Sequence, residues 1–195
     1  MTSTFPAAAP QASSPTMPLP IRLARSIGYD AALAPVSLVV AASTLLGRTD
    51  SVHHAWSRLF RIQESAEPVM IRRPGSVRSL GYSVLSLLLG VLSWFLLMML
   101  AVAVLRGVFY GLVTDGPYGP GTWGGPTKAG AWAVHAAVSA PLLCLLPLSL
   151  RGLGLLHAAL IRSLYGAPLG RWVLPATITM CAAGSLLFYC WIQQI

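Results

Sequence analysis

Lys128, Trp132 and His135 stand at i, i+4 and i+7, the spacing that places three side chains on one face of a helix. Ahead of them runs TDGPYGPGTWGGPT, which adds Asp115, Tyr118 and Trp123. Charged ends, ring nitrogens and aromatic surface in one short stretch are the ingredients of a small-ligand pocket, where polar groups orient the ligand and rings supply contact area. Asp115, Tyr118, Trp123, Lys128, Trp132 and His135 are accordingly the candidate ligand-binding residues. The same residues admit a plainer assignment, with Trp132 an interfacial anchor, Lys128 a snorkelling flank and His135 a helix-to-helix hydrogen-bond donor. A histidine inside a membrane segment is nonetheless a candidate for function by default.

Other chemistry is poorly represented. Gly124, Gly125 and Pro126 define a turn rather than a phosphate cradle, because Pro126 has no backbone donor and no GxxxxGK pattern is present. No Ser/His/Asp order, paired carboxylates or HExxH string occurs, and the whole chain has only five acidic residues from which to assemble a dyad. No buried ionisable chain of the kind a proton-coupled transporter needs is legible. Cys144, Cys181 and Cys190 fall inside apolar runs without CxxC or metal-ligand spacing, so free buried thiols and no disulfide are expected. His53 and His54 are adjacent and point to different sides of a helix, which argues against a two-histidine metal site. The sequence predicts no enzyme, no metal and no cofactor.

The elements that must hold these residues follow from the solvent. The chain of 195 residues is 55% hydrophobic and 9% charged, with a mean hydropathy of +0.70, whereas a soluble domain carries roughly 25% charged residues. That length also excludes a kinase or ATPase core. The run from Gly81 to Leu105 has no charged residue and, at about 1.5 Å per residue, reaches roughly 37 Å, enough to cross a hydrocarbon core of roughly 30 Å. Ala129 to Leu150 is a second such run, in which Pro141 and Pro147 must kink the helix or be compensated by neighbours. Trp172 to Ile192 is another, with Trp172, Tyr189 and Trp191 as interfacial anchors and Gly184 available for close helix packing. Ile27 to Gly47 is interrupted by Asp30 and Pro35 and either crosses or is re-entrant; Asp30 must lie near an interface or find a partner.

Between these runs, VHHAWSRLFRI sets Val52, Trp56, Leu59 and Phe60 at helical spacing, predicting an amphipathic helix on the lipid surface with His53 and His54 solvated or interfacial. The segment after Leu150, with Arg151, His157 and Arg162 among leucines, predicts a helix leaving the membrane and running along its surface until Gly166 and Pro168 end it. The expected fold class is an all-α membrane protein with about four transmembrane helices plus short amphipathic interfacial helices. Its parts are a disordered Pro/Ala-rich tail over 1–20, a membrane domain over 21–172 with spans at about 27–47, 81–105 and 129–150, and a C-terminal transmembrane helix over 173–195.

The net charge of +8 points to lipid rather than nucleic acid, because every basic residue lies outside or at the end of an apolar run and no compact basic motif accompanies them. Arg48, Arg58, Arg61, Arg72, Arg73 and Arg78 fill the first connection and Arg151, Arg162 and Arg171 the third, whereas the loop from Gly107 to Lys128 holds only Lys128. The positive-inside rule then makes the Gly/Pro/Trp loop extracytoplasmic.

The strings PGSVRSLGYSVLSLLLGVLSWFLLMML, YGLVTDGPYGPGTWGGPTKAGAWAVHA and LRGLGLLHAALIRSLYG carry a further signal. The stretch from Arg73 to Gly166 resembles the sensor domain found at the N-terminus of many bacterial sensor histidine kinases. The most specific part is WGGPT-x-AGAWAVHA, Trp123 to Ala136, followed at a distance by Arg151 to Leu153. The resemblance implies membrane hairpins with a short external loop, in a stand-alone member related to two-component systems. Two departures stand out: the N-terminal part is like a shortened first hairpin, and a further span replaces the start of the kinase. The expectation is a non-catalytic sensor-like protein of the bacterial cell membrane, relaying an envelope or small-molecule signal to a separate partner. The lipid bilayer is one partner, and a kinase, regulator, membrane complex or second copy is the other. The competing expectation is a structural or accessory subunit of a membrane protein complex.

Overall fold

The computed structural model describes residues 18–63, 74–168 and 170–193. Its elements are α1 (Leu19–Leu45), α2 (Thr49–Gln63), α3 (Ser76–Ala103), a π-helical turn (Val104–Val108), the short α4 (Tyr110–Val113), α5 (Lys128–Leu164) and α6 (Val173–Ile192). Four stretches are long and apolar enough to cross a membrane: Leu19–Leu45, Ser76–Val108, Lys128–Leu164 and Val173–Ile192. The chain is thus all-helical among the described residues and multi-pass by composition. The expected disordered tail lies outside the described residues except at its end, where Pro18 caps α1 and Leu19 and Pro20 already belong to it. Proline in the first turn is harmless there, since its missing donor has no intrahelical partner.

α1 is one continuous helix rather than an interrupted segment, and the reason lies on α3. Pro35 cannot donate to the carbonyl of Ala31, four residues earlier. The Trp94 indole Nε1 donates to that same carbonyl at 2.9 Å. A tryptophan on the neighbouring helix therefore supplies the hydrogen bond that the proline withholds. Nearby, a Cβ on Gly90 would stand 2.7 Å from the Ala34 backbone, so the two helices meet at backbone contact.

The ends of α1 and α5 follow one pattern. At Gly47 (φ 69°) the amide of Arg48 returns to the Ser43 carbonyl at 2.8 Å, and at Gly166 (φ 100°) the amide of Ala167 returns to Arg162 at 3.2 Å. Both are glycine-terminated helix ends in which the left-handed residue lets the chain satisfy its last carbonyls. Gly166 is the stop signal expected from the sequence.

The core corrects two expectations. Val52, Trp56, Leu59 and Phe60 of α2 are buried inside the protein, packed in one cluster with α1 and α5, and do not face lipid. Likewise, the part of α5 after Leu150 does not run along a surface. It continues the same 37-residue helix through Pro141 and Pro147, and Leu150, Leu153, Leu160, Ile161 and Leu164 are among its fully buried residues. Arginines spaced among leucines misled the surface assignment: Arg151 and Arg162 are half-buried, while Leu153, Leu156 and Leu160 between them enter the core and Leu155 stays exposed. α6 packs against α3, with Gly184 beneath Leu92 and Phe188 and Trp191 around Phe95.

Candidate functional site

The loop end of the bundle is built from the π turn, α4, residues 114–127 and the first turns of α5. Thr127 starts α5 by accepting the Gly130 amide on its hydroxyl at 3.1 Å, so Lys128 is the first helical residue. Gly124 and Gly125 both have φ near +90°, the left-handed backbone that glycine adopts without strain, and a Cβ on Gly124 would overlap the Gly130 carbonyl. The glycine-proline turn therefore seats directly on the first turn of α5.

Lys128, Trp132 and His135 do share a face, but each meets a different partner. Lys128 Nζ donates to Asp115 Oδ1 at 2.8 Å. Trp132 Nε1 donates to the Val108 carbonyl at 2.8 Å, satisfying an acceptor left open where the π turn ends. The His135 ring stacks on Tyr110 with centroids 3.8 Å apart and planes within 12°, and its Nδ1 bonds the Ala131 carbonyl at 2.8 Å. This face thus clamps residues 108–115 onto α5. Tyr118 turns back on its own loop, donating to the Thr114 carbonyl at 2.8 Å. The Lys128 ammonium holds the Asp115 carboxyl below its ordinary value of 3.8. Exposure keeps this pair a weak tether.

A cleft of about 280 Å³ lies beside the clamp, between the end of α3 and α5. Of the six candidate residues, Trp123 and His135 line it. Asp115, Tyr118, Lys128 and Trp132 do not. Its floor is apolar, from Met99, Val102, Val138, Leu142 and Leu146, and Arg106 and Ser139 add polar groups. The π turn shapes this wall. Phe109 donates to the Val104 carbonyl, an i to i+5 bond of 3.1 Å, and Gly107 meets Ser139 so closely that a Cβ would overlap its side chain. Single π turns recur at functional sites because they re-aim side chains without ending the helix.

A second polar group was not legible as a unit. His157 is fully buried, with Nδ1 2.6 Å from the Tyr29 hydroxyl and Nε2 2.9 Å from the Ser86 hydroxyl, and Trp56 covers the ring. In either neutral tautomer one ring nitrogen donates and the other accepts, so both are satisfied. Asp30 is also buried; Ser93 donates to its Oδ1 at 3.1 Å, while its Oδ2 has no hydrogen-bond partner among the described residues. The partner demanded by Asp30 is therefore a serine. These contacts join α1, α3 and α5. One sequence signal pointed here: Ser79, Ser83, Ser86 and Ser93 of α3 fall on one face, and all are buried.

Comparison with known proteins returns no match: no family model, no curated protein and no solved structure is similar to this chain.

Proposed function

We propose that this chain is a non-catalytic, sensor-like protein of the bacterial cell membrane that relays the state of its loop-end cleft to a separate protein partner. The observation that carries this is the continuity of α5. The same helix bears His135 in the cleft and, about six turns on, His157 in the buried polar group against Trp56 of α2. A packed helix moves as a unit, so a shift at one end must be accommodated at the other. Arg58 is exposed on α2, the helix that contacts His157 and Tyr165 toward the end of α5, and this supports a partner surface at the end away from the loop. The likeness of Arg73 to Gly166 to histidine-kinase sensor domains and the sparse charge of the loop support an extracytoplasmic position for the cleft.

Such a relay needs two packings and a signal that distinguishes them. The test is crosslinking in native membranes to identify the partner, followed by substitution of Trp123 and His135 and measurement of that partner's output. Changed output from a folded protein supports the role. Unchanged output with both substitutions removes it.

A further inference from the structure

We propose that the loop-end cleft is a binding site for an anionic phospholipid, with one acyl chain along the trough between α3 and α5 and the phosphate at Arg106. The inference deepens the sensing proposal and rests on it for biological meaning. Three observations converge. The trough is floored by Val102, Val138, Leu142 and Leu146 and is open along one side, for Val102, Val138 and Leu142 are all exposed. In a helix that spans a bilayer, such a side faces acyl chains, so the trough is filled from the membrane itself. Secondly, Arg106 stands at the mouth, exposed and without a carboxylate partner among the described residues. Guanidinium matches phosphate oxygens in planar, paired hydrogen bonds, which selects an anionic headgroup rather than a fatty tail alone. Thirdly, Trp123 is 71% exposed at the same mouth, the depth at which an indole lies among headgroups.

An arginine at the end of any span meets headgroups, so the site must be separated from ordinary annular lipid. What distinguishes it is the combination of a recess with a charge fixed beside it. The π turn presents Arg106 while Gly107 lies hard against Ser139, which closes the recess between the two helices.

The test uses the full chain in phosphatidylcholine liposomes carrying a trace of lipid with a diazirine near the tail end. The probe is either phosphatidylglycerol or phosphatidylcholine, and crosslinked residues are mapped by peptide mass spectrometry. The phosphatidylglycerol probe is expected to label Val102, Leu142 or Leu146 about five-fold more than the phosphatidylcholine probe, the preference that one basic residue confers near an anionic surface. Arg106→Gln should bring the two probes to equal labelling. Leu142→Trp, which fills the trough, should abolish labelling there by both, and helical content by circular dichroism verifies that each variant is folded. Equal labelling of the wild-type trough by both probes would mean annular lipid only and overturn the proposal. So would a phosphatidylglycerol preference that survives Arg106→Gln in a folded protein. No signalling output enters this readout. Labelling that follows Arg106 while partner output ignores the cleft would establish the lipid site and remove the sensor role.

Discussion

At the scale of single residues, the clearest energetic commitment is His157. Both its nitrogens bond hydroxyls from other helices, and Trp56 closes over the ring. His157→Ala would strand the Tyr29 hydroxyl, at about 1–3 kcal/mol for an unsatisfied buried group, and would leave a cavity besides. The expected result is a clear fall in thermal midpoint in mild detergent; an unchanged midpoint would mean the group contributes little. Asp115 offers a pH dependence of known sign. Lys128 lowers its pKa, so the tether is complete above 3.8 and is lost as pH falls through the depressed value. Protection of the amides across Gly116 to Thr127, taken relative to intrinsic exchange at each pH, should therefore be insensitive to the state of this carboxyl at neutral pH and fall only in acid. Asp115→Asn should remove that transition. Of the candidate site, the sequence made the shared face of Lys128, Trp132 and His135 legible. It did not reveal that most of that face holds the loop, because helical spacing tells which side chains point together and not what waits opposite.

At the scale of elements, α1 and α3 are joined by a repair. Pro35 orphans the Ala31 carbonyl and Trp94 satisfies it, in a setting where lipid offers no alternative donor. Trp94→Phe is expected to cost about 1–3 kcal/mol in the wild-type chain, and much less when Pro35→Ala restores the intrahelical donor. A double-mutant cycle on unfolding free energies measures this; additive costs would break the proposed link. The segments of α3 and α6 were legible from apolar length alone, whereas α1 was not, because Asp30 and Pro35 interrupt its apolar run. The fates of α2 and the end of α5 were not. An apolar stripe with arginines beside it is the same pattern whether the stripe lies on lipid or against another helix, and only the presence of a neighbour decides.

At the scale of the whole molecule, polar contacts matter more than apolar area, because side chains leaving lipid for a helix interface gain little from the hydrophobic effect. Tyr82 meets the Ser163 hydroxyl at 3.0 Å and Arg78 donates to the Ser163 carbonyl at 3.1 Å, so the start of α3 is pinned to the end of α5. This places the pinned end opposite the loop. A cysteine introduced at Thr122, with the three native cysteines replaced, is expected to react with a membrane-impermeant thiol reagent in intact cells. Reaction only after lysis would invert the proposed orientation. The class of fold was legible because composition reports the solvent directly; the arrangement was not, because charge-free runs carry little information about who neighbours whom.

The π turn stores a spare residue near the end of a long helix. A chain with one residue fewer between Val104 and Val108 would wind as plain α-helix there, and everything beyond would swivel by about 100°. Arg106 would leave the trough, and Gly107 would no longer be the residue meeting Ser139. A single codon's deletion would thus dismantle the cleft while sparing the half of α3 that holds Asp30 and His157.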